Sequence, residues 1–72
     1  MNYTYNDYEE AYYGSRFNEC KQIGIFLLSK LNDNRSKELL KELEKFEWDW
    51  LNITKKEYDL LTQVKCWLMV NK

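Results

Sequence analysis

Histidine and proline are absent from these 72 residues, and glycine (Gly14, Gly24) and cysteine (Cys20, Cys66) occur only twice each. Each scarcity excludes something. Without histidine the chain lacks the commonest general base and the commonest metal ligand. The two cysteines stand far apart with no CxxC partner, so no zinc-binding spacing exists, and neither a metal nor a cofactor is expected. Both thiols are expected to be reduced and to fill space as small apolar groups. No serine has a histidine to activate it and no Gly-rich loop can cradle a phosphate, so an enzyme is not expected. Strands are not expected either, because no Asn-Gly type hairpin signal appears. The longest apolar run, Ile23 to Leu28, is six residues, against about 20 for a membrane span. The opening Met-Asn-Tyr-Thr-Tyr-Asn-Asp is polar, with no secretory apolar core, and a cytoplasmic protein is expected. Eleven basic against twelve acidic side chains give a net charge of −1, which weakens the case for strong nucleic-acid binding.

What is abundant is aromatic and helix-forming. Three Trp, six Tyr and three Phe accompany 44% hydrophobic and 32% charged residues, a composition able to build a core, and residues 1–72 are read as one domain. Asn6 with Glu9 resembles a capping box, after which Tyr13, Phe17, Cys20, Gly24, Leu27 and Leu31 recur at alternating spacings of four and three. That pattern predicts a helix over about 7–31, with residues 1–5 as a frayed arm, unless Gly14 breaks it. A glycine within the seam, Gly24, lets a second helix approach closely. Asn34 or Ser36 can cap a helix over about 35–50 whose apolar stripe is Leu39, Leu43, Phe46 and Trp50. Thr54 and Glu57 form a full capping box for a third helix over about 55–70, with Leu60, Leu61, Val64, Trp67 and Leu68 on one side. The expected fold is all-α: a small three-helix bundle with antiparallel neighbours, or an interleaved helical dimer. Leu27, Leu31, Leu39, Leu43, Phe46, Leu61, Val64 and Leu68 are expected in the core.

Three groups depart from this pattern and mark candidate contact residues. Trp48 points away from the stripe of its helix, toward Lys37, Lys41 and Lys45, which are spaced four apart. Either the helix ends by position 47 and Trp48 folds back, or Trp48 is an exposed anchor on a lysine row, suited to a protein hot spot or a base-stacking platform. Ile25 and Phe26 fall off the seam, so the first helix is apolar nearly all round at its centre. It must lie between the other two helices or be covered by a second subunit, with Ile25, Phe26 and Tyr12 as the oligomer contact. The N-terminal tyrosines, including Tyr3, Tyr5 and Tyr8, sit among Asp7, Glu9 and Glu10 in a segment with no Lys or Arg. They either pack on the bundle or form an adaptable binding surface.

These features lead to one expectation with two alternatives. The expected function is that of a small non-enzymatic modulator or inhibitor that binds a host or cognate protein. The small size and Asn/Lys/Tyr-rich composition fit the accessory proteins of phages or mobile elements. The alternatives are a nucleic-acid-binding regulator using the lysine row and Trp48, and a self-assembling structural subunit. A homodimer is expected and a membrane partner is not.

Overall fold

A computed structural model describes residues 2–45 and 53–71. Four helices follow one another: α1 (Tyr5–Tyr13), α2 (Phe17–Lys30), α3 (Asn34–Lys45) and α4 (Lys55–Val70), and no strand occurs among the described residues. The all-α class and the third expected helix are as the sequence predicts. The first expected helix is two helices. Phe46 and Trp50 lie outside the described residues, as does Trp48.

The start of α1 is set by Thr4 rather than Asn6. The Thr4 hydroxyl accepts from the Asp7 amide at 3.4 Å and the Asp7 carboxylate accepts from the Thr4 amide at 2.8 Å. This reciprocal box begins two residues earlier than the Asn6/Glu9 pair and brings Tyr5 into the first turn. The end of α1 explains why 7–31 is not continuous. The Arg16 amide donates back to the Ala11 carbonyl at 2.9 Å and the Ser15 amide to the Tyr12 carbonyl at 3.3 Å. These are the two bonds of a Schellman motif, and its left-handed position falls on Ser15, with φ 59°, rather than on Gly14. A non-glycine residue is strained there, so Ser15→Gly is expected to raise stability by about 0.5–1 kcal/mol in a denaturant titration. A loss of stability would show that the turn tolerates serine without strain.

Residue Asp33, not Asn34 or Ser36, caps α3. Its carboxylate accepts from the Ser36 amide at 3.1 Å and from the Ser36 hydroxyl at 2.6 Å. The bond from the Ser36 hydroxyl holds the Asp33 carboxyl below the usual carboxylate range. The α4 box is as predicted: the Glu57 carboxylate accepts from the Thr54 amide at 3.1 Å and the Thr54 hydroxyl accepts from the Glu57 amide at 3.2 Å. That pairing is what lets Glu57 lie buried with one oxygen satisfied.

Helix α2 packs against each of the other three helices, whereas the backbones of α1 and α3 flank it without approaching one another closely. Its buried arc is therefore broad: Cys20, Ile23, Gly24 and Leu28. Leu27 and Leu31, expected in the core, are half-buried at the margin of that arc, and Ile23 and Leu28 take the inner places. Leu39, Leu43, Leu61, Val64 and Leu68 are buried as expected. The remaining core comes from the N-terminus: Tyr5, Tyr8, Ala11 and Tyr12 are all buried. Tyr5, placed by the sequence reading at the end of a frayed arm, lies in the first turn of α1. The radius of gyration is 11.0 Å, close to the value of about 11 Å expected for a folded chain of this length.

Candidate interaction surface

Burying one side of α4 fixes what the other side shows. Glu57, Leu60, Leu61, Val64 and Leu68 face the core. At about 100° per residue, Tyr58, Thr62, Cys66, Met69 and Val70 then fall on the outward half of the helix. Four large apolar side chains are exposed among the described residues: Tyr13 (68%), Tyr58 (43%), Met69 (44%) and Val70 (76%). Three of them belong to α4. The fourth, Tyr13, projects from the end of α1 beside α4, with the Lys65 ammonium 5.4 Å from its ring centre.

On the α1 side the surface is an aromatic cluster. Tyr12 meets Tyr13 edge-on at 5.1 Å and Tyr58 at 5.5 Å, and Tyr58 meets Phe17 edge-on at 6.0 Å. The Thr62 hydroxyl donates to the Tyr58 carbonyl at 3.0 Å, so in its 2.6 Å bond with Tyr12 the tyrosine is the donor. The Tyr58 phenol is shifted above its ordinary pKa by its hydrogen bond to Tyr12. Lys65 is likewise shifted upward, by its bond to the Tyr13 hydroxyl, so it remains an ammonium throughout the physiological range. The bond to Thr62 holds the Tyr12 phenol in place, while Tyr13 and Tyr58 remain exposed.

On the α3 side lies a shallow depression of about 390 Å³ lined by Arg35, Thr62, Gln63, Cys66, Trp67 and Val70. Its wall is held rigid by a relay across the two helices. The Trp67 indole donates to the Ser36 hydroxyl at 2.7 Å, and Ser36 donates onward to the Asp33 cap. The Arg35 guanidinium reaches Gln63 and Glu38 at 3.4 Å each. Cys66 is free and exposed, whereas Cys20 is free and buried.

The residues singled out from the sequence are placed differently. Lys37, Lys41 and Lys45 are exposed along α3, opposite the buried Ser36, Leu39 and Leu43. Their expected companion Trp48 lies outside the described residues. Tyr5 and Tyr8 are in the core, so their reading as partner-binding residues is corrected: a partner cannot reach a side chain that is 0% exposed, as Tyr8 is. Tyr3 is half-buried against Phe26, ring centres 5.4 Å apart, and the Lys30 ammonium caps the Phe26 ring at 4.5 Å. Ile25 and Phe26, the expected oligomer contact, are half-buried on α2, which packs against each of the other three helices. Tyr12, the third residue of that expected contact, is buried within the chain, its hydroxyl bonded to Thr62.

What sequence reasoning missed is the outer side of α4. The signal was present: Cys66 to Val70 is an unbroken apolar run of five residues, which is too wide for a single buried face.

No group of three or more acidic or cysteine side chains is arranged to hold a metal ion, and no helix is long and apolar enough to cross a membrane, among the described residues. Comparison with known proteins finds no family model, no curated protein and no solved structure that matches the chain.

Proposed function

We propose that the chain is a small protein-binding modulator that acts by contact rather than by chemistry, and that its partner surface is the outward side of α4. The observation that carries this reading is that three of the four exposed large apolar residues among those described belong to the outward half of α4, and the fourth, Tyr13, lies beside Lys65 of that helix. Exposed apolar groups scattered singly need no explanation, but a contiguous set rimmed by polar side chains marks an interaction site. Tyrosines at one edge and an apolar depression beside Trp67 provide the aromatic anchors and the concavity that hot spots use. The rim of Lys65, Gln63 and Arg35 has the polar character of an interface boundary.

The test is a pull-down from lysate with three baits: the wild-type chain, a Met69→Asp/Val70→Asp double variant, and Lys41→Glu. Both α4 positions are exposed near a helix end, so the double variant is expected to keep the wild-type circular dichroism spectrum. It should lose the captured protein by about 30-fold or more in affinity, as removal of hot-spot contacts does. Lys41→Glu should leave capture unchanged. Capture that survives the double variant but fails with Lys41→Glu, and that weakens steeply with salt, would instead support a nucleic-acid regulator built on the α3 lysines.

A further inference from the structure

Resting on that reading, we infer that the occupant of the α4 face is an amphipathic helix of a partner protein whose apolar stripe is flanked by carboxylates. Two features fix this chemistry. The first is shape. The outward side of α4, with a depression of about 390 Å³ along its α3 edge, offers a track for a row of side chains and a socket for a large apolar anchor, which is the helix-in-groove mode of recognition. A second copy of the chain would need to bury about 800 Å² per partner in a standard interface. That is roughly a sixth of the total 5082 Å², well beyond one side of a 16-residue helix.

The second feature is charge. The centre of the C-terminal half of this face, Thr62, Cys66, Met69 and Val70, carries no charge. It is bordered by a cation on each side, Lys65 toward α1 and Arg35 toward α3. The Lys65 ammonium lies 5.9 Å from the Tyr12 ring centre and 5.4 Å from that of Tyr13. Arg35 is held by Glu38 in an exposed pair at 3.4 Å, weak enough for an incoming carboxylate to exchange with it. The nearest acid on the face itself is Asp59, toward the N-terminal end of α4. A partner helix with Glu or Asp beside its apolar stripe therefore meets cations on both flanks, and one with Lys or Arg meets like charge.

The probes are three synthetic 18-residue amphipathic peptides sharing one Leu/Phe stripe and differing only in flanking residues: Glu, Gln or Lys. Each is titrated into the full-length chain while backbone amide shifts are followed by NMR. The Glu-flanked peptide is expected to bind about tenfold more tightly than the Lys-flanked one, with shifts centred on Thr62, Cys66, Met69 and Val70. The Arg35→Glu/Lys65→Glu variant should reverse that order. Equal affinities, or a preference for the Lys-flanked peptide, with shifts still centred on α4 would overturn the carboxylate assignment while leaving α4 as the partner surface. Shifts elsewhere, together with lysate capture indifferent to Met69→Asp/Val70→Asp, would overturn both. A dimer of the chain alone in sedimentation, abolished by Val70→Asp, would replace the partner helix with a second copy. Preferential binding to phosphatidylglycerol vesicles over all three peptides would replace it with a lipid surface.

Discussion

Replacing Tyr8 by alanine is expected to unfold the chain, or nearly so. Tyr8 is completely buried, and its hydroxyl donates to the Leu61 carbonyl at 2.7 Å, tying α1 to α4. Burial also pushes its phenol well above the ordinary tyrosine range. Truncating a buried aromatic to alanine typically costs about 3–5 kcal/mol, against a total of about 4–10 kcal/mol for a domain of this size. Tyr8→Phe keeps the ring and loses only the bond, at about 1 kcal/mol. Thermal melts of the two variants separate packing from hydrogen bonding. A Tyr8→Ala protein that melts within a few degrees of wild type would mean that α1 is not part of the core.

The second large effect is expected at Gly24, where three helices converge on α2. A Cβ added there would stand 3.0 Å from Tyr8 Cε2, 3.3 Å from Leu43 Cδ1 and 3.6 Å from Val64 Cγ1. The Tyr8 ring cannot retreat, because its hydroxyl is anchored on Leu61. Alanine gains about 1 kcal/mol in helix propensity, which partly offsets an overpacking penalty of about 1–3 kcal/mol. Valine adds two more methyl groups with little rotamer freedom, and Gly24→Val is expected to cost about 3 kcal/mol or more. Urea denaturation of the pair checks the order: wild type, then alanine, then valine. A valine variant as stable as wild type would contradict the close approach.

These two positions show what was legible in the sequence and what was not. The role of Gly24 could be read, because a glycine within an apolar seam implies a close neighbour. The α4 helix could be read to the residue, because Thr54, Glu57 and a regular apolar spacing all agree. The N-terminus could not. Its tyrosines carry both a polar tip and a large apolar body, so composition does not say which end faces in. The decision is made by the reciprocal cap at Thr4 and Asp7, which sets the phase of α1 and turns Tyr5, Tyr8 and Tyr12 inward. The break at Ser15 was equally hidden. Gly14 drew attention as the helix breaker, yet the left-handed position fell one residue later, because the two Schellman bonds count from Ala11 and Tyr12. That single offset separates α1 from α2 and leaves Tyr13, placed in the seam by its spacing, as the most exposed tyrosine at the α4 surface.

The outward side of α4 escaped notice for a different reason. Sequence patterns identify a core stripe by its period, and the residues left over are read as solvent-facing whatever their chemistry. Tyr58, Cys66, Met69 and Val70 acquire meaning only once the packing of α1 and α3 on either side leaves them exposed.

The central claim, that this face is where a partner binds, is tested most directly by the thiol already in it. Cys66 is exposed at the centre of the face, whereas burial pushes the Cys20 thiol up to about 12, so Cys20 is almost wholly protonated and shielded at neutral pH. Iodoacetamide at pH 8 should therefore alkylate Cys66 alone in the free chain, as peptide mass mapping would show. In the complex captured from lysate, the account predicts that Cys66 alkylation slows by about tenfold or more while Cys20 stays unmodified. Alkylation of Cys66 at the free-chain rate within an intact complex would contradict it and place the partner on another face.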